Sequence, residues 1–122
     1  MKTYTTSLEV SKRLKDAGYP QDESFFQYAR MKDTHPFYKA FGKREWELSL
    51  IVSVPDKEMD YIASPTVGEL GERFPEGYYT ERMPNKLWKG FYGSGYNQLS
   101  SSDTEANARA EMWLYLNDKE KL

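Results

Sequence analysis

Cysteine is absent from this chain of 122 residues, and histidine occurs once. Without a thiol there is no disulfide, no thiolate zinc site and no cysteine nucleophile, and such usage fits a reducing cytoplasm. The lone imidazole, His35, leaves any zinc site short of nitrogen and sulfur ligands. It stands in a charged segment before Pro36, with no Gly-x-Ser-x-Gly elbow to complete a hydrolytic triad, so it reads as an ordinary exposed loop residue. Long apolar runs are missing too. Nothing nears the ~18 apolar residues of a membrane span, and residues 1–6 lack the apolar core of a secretion signal, so a cytoplasmic protein away from membranes is expected. Charge of one sign is also lacking: 17 Lys and Arg face 19 Asp and Glu, a net of −2. The global field therefore gives no reason to expect nucleic acid.

Local charge is less even. Residues 1–45 sum to +3, residues 46–81 to −6 and residues 82–122 to +1. In the acidic middle, Asp56, Glu58 and Asp60 alternate, but the glycine and the later bidentate Glu of a calcium loop do not fall in place. A solvated turn is the simpler reading. Gly90, Gly93 and Gly95 have the look of a phosphate loop, yet they lead into Tyr96-Asn97-Gln98-Leu99 with no Gly-Lys-Ser/Thr, and a bulge or turn explains them. No metal, cofactor or catalytic set is expected, and hence no enzyme.

What the chain has in quantity is aromatic side chains, 16% of its residues. Each buried ring removes on the order of 150–250 Å² from water, which makes a core feasible in one domain over residues 1–122. Trp46, Leu48, Leu50, Val52 and Val54 recur at period two, so residues 46–54 read as a half-buried strand with one apolar face. Val10, Leu14, Leu70, Trp113 and Leu114 are expected to pack on that face.

Ahead of this strand, Thr6-Ser7-Leu8-Glu9 has the form of a capping box and Gly18 that of a helix stop, with Val10, Leu14 and Ala17 as an apolar stripe between them. Ser24 to Arg30 reads as an aromatic strand and residues 31–45 as a long loop. Beyond it come a charged turn, a short extended piece at Tyr61–Ala63, and a second capping box, Thr66-Val67-Gly68-Glu69, opening about two turns of helix. Tyr78 to Met83 and Leu87 to Tyr92 flank Pro84-Asn85-Lys86 as a hairpin, which Tyr96 to Leu99 extend as a bulged or edge strand. Ser100 to Asp103 read as a loop. Thr104 then caps a last helix on which Ala106, Ala110, Trp113, Leu114 and Asn117 share a face. The order is α-β-β-α-β-β-(β)-α, an α+β domain with a mostly antiparallel sheet of four to five strands.

Three segments carry a resemblance: SLEVSKRLKDAGYPQ at 7–21, ASPTVGELGERFP at 63–75 and DTEANARAEMWLYL at 103–116, together about a third of the chain. They resemble the opening, middle and closing motifs of a group of small uncharacterised proteins encoded by bacteriophages and prophages. Those motifs are helix caps and packing faces, so the resemblance implies no catalytic residue. Residues 31–45 depart from the pattern. The stretch Ser102 to Ala108, following a β region, is also similar to the sheet-to-helix junction of HicB-like antitoxins, which implies a nucleic-acid-associated regulator as the alternative.

The leading expectation is a small non-enzymatic module that binds a protein partner, with nucleic acid as the second possibility. Three short helices cannot bury Phe37, Phe41, Trp88 and Tyr92 together, and exposed rings beside cations are the usual composition of interface hot spots. The expected surface therefore comprises Phe37, Phe41 and Arg44 of the loop with Arg82, Lys86, Trp88, Lys89 and Tyr92 of the hairpin.

Overall fold

Helix α1 (Leu8–Asp16) begins where the Ser7 side chain accepts the Val10 amide at 3.3 Å. The cap is thus one residue later than Thr6, because the Thr6 side chain is buried against Ser11 and Ser64 instead. The helix ends as read, on Gly18 at φ +94°, with Gly18 N–H on the Lys15 carbonyl and Tyr19 N–H on the Leu14 carbonyl. These two bonds form a Schellman motif, which folds Tyr19 back over Leu14. The coordinates are a computed structural model, and they describe residues 4–37, 45–50, 56–93, 97–120 and 122.

Further along lie strands β1 (Phe26–Met31), β2 (Glu47–Leu50) and β3 (Met59–Ala63), helix α2 (Val67–Gly71), strands β4 (Tyr78–Arg82), β5 (Trp88–Tyr92) and β6 (Asn97–Ser102), and helix α3 (Glu105–Asp118). The fold is α+β and follows the order read from the sequence, but its strands form two antiparallel sheets, β2-β1-β3 and β4-β5-β6, rather than one of four to five strands. The other two expected caps hold. Thr66 and Glu69 satisfy each other's backbone donors, and the Thr104 hydroxyl accepts the Asn107 amide at 3.2 Å.

Residues 46–54 do not organise the molecule as expected. β1 is the central strand of the first sheet, with Tyr28 opposite both Leu48 and Ile62, and β2 is an edge. Trp46 and Leu48 are half-buried, Leu50 is 67% exposed, and Val52 and Val54 lie outside the described residues. Alternation records only that two faces of a strand differ. It does not require a helix to cover the whole length of one. Helix α1 meets the sheet at β3, and its Lys12 reaches the Trp46 ring at 5.8 Å.

The residues expected to cover that strand pack on one another instead. Val10, Leu14, Tyr19, Leu70, Ala110 and Trp113 form a core among the three helices, with Ala17, Phe74 and Leu114 against its rim. Tyr19 meets Trp113 edge to face at 5.1 Å, a favoured ring geometry. Burial pushes the Tyr19 hydroxyl pKa up, and its oxygen accepts Arg73 Nε at 2.8 Å.

Helix α3 is buried on two sides. One stripe, Ala106, Ala110, Trp113 and Asn117, faces the other helices, and Asn117 Nδ2 donates to the Ala17 carbonyl at 3.1 Å. The other, Ala108, Met112 and Leu116, lies on the second sheet, where a Cβ at Gly90 would stand 2.9 Å from Met112 Sδ. Ser100 Oγ donates to the Ala108 carbonyl at 2.7 Å. Ser100, Ser101 and Ser102 are therefore strand rather than loop: they pair with Gly90, Lys89 and Trp88, and small side chains let the helix approach. The molecule is layered as first sheet, α1, α3, second sheet.

Candidate functional site

A cluster of buried hydroxyls gathers where residues 4–7 cross residues 64–67. Thr6 Oγ1 lies 2.7 Å from Ser11 Oγ, and Ser64 Oγ and Tyr28 OH donate to the Thr6 carbonyl at 2.8 and 3.2 Å. Their partners are one another and a carbonyl, with no histidine or carboxylate among them. Such a cluster satisfies buried polar groups and has no base to activate an oxygen. Burial raises the Tyr28 pKa accordingly.

His35 is not the exposed loop residue expected. Its side chain is 13% exposed, with Nε2 3.7 Å from an Asp56 carboxylate oxygen and the ring stacked on Phe37 at 5.4 Å. Nδ1 accepts the Phe37 amide at 3.1 Å. The carboxylates nearby are engaged: Asp56 accepts the Glu58 amide at 2.8 Å, and Glu58 accepts the Thr34 hydroxyl. Among the described residues no three of His, Asp and Glu gather closely enough to hold a metal ion, and no helix is long and apolar enough to cross a membrane.

The expected binding residues do not form one surface. Phe37 is 58% exposed and belongs with His35 at the end of the first sheet, while Phe41 and Arg44 lie outside the described residues. The hairpin residues separate by strand parity. Arg82 and Trp88 are cross-strand neighbours on the side of the sheet that α3 covers, where they line a cleft of about 360 Å³ with Tyr4, Asp103 and Glu105. Lys89 sits opposite Glu81 and Ser101, on the other parity. Exposed Lys86 holds the tip at φ +70°, closing a three-residue turn in which Lys86 N–H meets the Met83 carbonyl and Leu87 N–H the Asn85 side chain. Tyr92 lies two residues beyond Gly90, past the point where Met112 crosses the sheet.

Tyr92 belongs to a concavity of about 580 Å³, lined by Tyr78, Tyr92, Asn97, Gln98, Leu99, Tyr115 and Leu116. The strands build its floor. Tyr78 pairs with Tyr92 and Tyr92 with Asn97, so three side chains stand in a row across β4, β5 and β6. The Tyr78 and Tyr92 rings meet at 4.6 Å, and Phe74 extends the line behind Tyr78 at 6.2 Å. A slip of register between Gly90 and Phe91 leaves Leu99 without a partner and re-aims the start of β6. The last turns of α3 supply the wall, with Tyr115 42% and Tyr92 47% exposed. No family model matches the chain, and no curated protein or solved structure is significantly similar to it.

Among the described residues no charged side chain lines this cleft, although Lys119 Nζ stands 5.8 Å from the Tyr115 ring centroid; the lining offers three phenols, two carboxamides and two leucines. The lining holds no carboxylate, imidazole or amine to act as a general base. It can stack on flat or ring-shaped groups and hydrogen-bond to uncharged ones. Asn97, Gln98, Leu99, Tyr115 and Leu116 have no site role in the sequence reading. The available signal was the run Trp113-Leu114-Tyr115-Leu116, which has no charged position and so must turn an aromatic or aliphatic residue to every side of the helix.

Proposed function

We propose that this chain is a small non-enzymatic binding module, of the phage and prophage type its three segments resemble, and that it takes a segment of a protein partner in the tyrosine cleft. A cytoplasmic setting is part of the same proposal. The supporting observation is the lining itself: half-exposed Tyr92 and Tyr115 share one concavity with Asn97 and Gln98, and no charged residue is part of its lining. Tyrosine is prominent among interface hot spots, because a rigid ring brings large contact area at small entropic cost and its hydroxyl finds partners. A volume of about 580 Å³ is within the usual range for a site that encloses a ligand group.

Protein is favoured over nucleic acid because the cations of the hairpin do not converge. Arg82 shares its cleft with Asp103 and Glu105, and Lys89 faces Glu81 across the ladder. Phosphate binding needs cations unopposed along one track, and its affinity then falls steeply with salt.

The test is affinity capture from infected or lysogenic cells with the wild-type chain, a Tyr92→Ala/Tyr115→Ala variant and an Arg82→Glu/Lys86→Glu/Lys89→Glu variant. A protein complex lost in the first variant, retained in the second and only modestly salt-sensitive is the expected result. Complexes that ignore the tyrosines, or that depend on the three cations and dissolve steeply with salt, would overturn the proposal.

A further inference from the structure

Building on that reading of the cleft, we infer that its ligand is an extended, proline-bearing segment in the polyproline II conformation. Three features of the cleft point there. The first is its composition: none of Tyr78, Tyr92, Asn97, Gln98, Leu99, Tyr115 or Leu116 is an acidic or basic residue. A basic or methylated-lysine motif would find no carboxylate in the lining, and the cation beside it, Lys119 at 5.8 Å from the Tyr115 centroid, already stands over that ring. The complementary ligand is uncharged.

The second is spacing. The row Tyr78, Tyr92, Asn97 crosses three adjacent strands, a width of about 10 Å at the ordinary inter-strand distance. One turn of polyproline II is three residues and about 9 Å, so ring i and ring i+3 of such a segment reach the two ends of this row.

The third is hydrogen bonding. Polyproline II has no internal hydrogen bonds, so its carbonyls are free to accept, and a proline-bearing segment has few amide donors to offer. Asn97 and Gln98 are exposed at the mouth of the cleft and carry carboxamide donors, and the tyrosines add hydroxyl donors. Stacked rings with donors beside them are how aromatic grooves hold proline-rich segments, whose preformed conformation leaves little entropy to lose.

The experiment is a titration of the full isotope-labelled chain with hexaproline capped at both ends, followed by nuclear magnetic resonance. Saturable shifts should appear in the side-chain amides of Asn97 and Gln98 and in the backbone amides of Tyr92 and Tyr115. Tyr115→Ala should weaken binding about tenfold, on the scale of an interface hot spot. Asn97→Ala combined with Gln98→Ala removes only exposed side chains, leaves the fold intact and should weaken binding as well; Arg82→Glu should leave it unchanged. Shifts no larger than those from a capped glycine-serine peptide, an affinity unmoved by both sets of substitutions, or saturation by cellotriose in place of hexaproline would each overturn the inference. A cellular complex that needs Tyr92 and Tyr115 but whose bound segment contains no proline would overturn it too, while leaving the protein-binding proposal in place.

Discussion

The two sheets are held by different means. The second is pressed against α3 with glycine and serine at the contact, Gly90 under Met112 and Ser100 bonded to the Ala108 carbonyl, so backbone and helix come close and little water remains between them. The first meets α1 through β3, and toward β2 its contacts become cations over a ring, with Arg30 4.5 Å from the Trp46 centroid. Close packing rewards every buried methylene, whereas contacts of the second sort leave charge and much of the ring in water. Stability should therefore be concentrated around α3 and thin toward β2.

The largest effect should come at Trp113. Trp113→Ala empties a site between α1, α2 and α3 and should cost about 3–5 kcal/mol in chemical denaturation, a large share of the stability of so small a domain. A loss below about 1 kcal/mol would mean that the helical core is not the centre of stability. Next in size is Gly90→Val, which places a branched side chain where even a Cβ is 2.9 Å from Met112 Sδ. Overpacking of about 1–3 kcal/mol is expected, and pairing it with Met112→Ala should recover part of the loss, a coupling that a double-mutant cycle measures.

Smaller, and confined to alkali, is the contribution of the buried phenols. Burial raises the pKa of Tyr19 in the helical core and of Tyr28 in the first sheet. The folded state therefore holds these protons more tightly than the unfolded chain does. Their contribution is complete below the ordinary tyrosine value of about 10 and is lost as pH rises through the higher folded value. Thermal stability followed from pH 8 upward should fall beyond about pH 10, and Tyr19→Phe and Tyr28→Phe should each flatten that fall. Equal slopes in all three proteins would show that neither hydroxyl is held by burial.

The smallest effect should be at the edge of the first sheet. Leu50→Ala removes a side chain already 67% in water and should shift stability by no more than about 0.5 kcal/mol. A loss of several kcal/mol, measured beside Trp113→Ala, would erase the difference between the two regions.

Much of the architecture was legible in the chain because it rests on neighbours in sequence. Thr66 with Glu69, Thr104 with Asn107, and Gly18 after Ala17 are contacts within a turn of helix, and the turn at Pro84-Asn85-Lys86 brings β4 onto β5 by itself. Burial was less legible. The five residues at period two promised a covered face, but β1 accepted β3 on its other side and left β2 at the edge. Ser100 to Ser102 looked like loop because serine has little strand preference, whereas the close approach of α3 favours a small side chain at Ser100. The proposed binding surface was dispersed for a related reason: strand alternation sends Arg82 and Lys89 to opposite faces, although seven residues and one hairpin hold them together in the sequence.

By itself, then, the sequence determined the α+β class, the element order, the caps and the hairpin, since each depends on residues at most a few positions apart. Only the tertiary structure decided that the strands divide into two sheets, that α3 rather than β2 lies at the centre, and that Tyr78, Tyr92 and Tyr115 meet around one cleft. Tyr115 lies 23 residues from Tyr92 in the chain, on a helix whose buried stripes face two ways. No local pattern records which side of such a helix stays open, because that is settled by which sheet the helix packs upon and how far along it the packing extends.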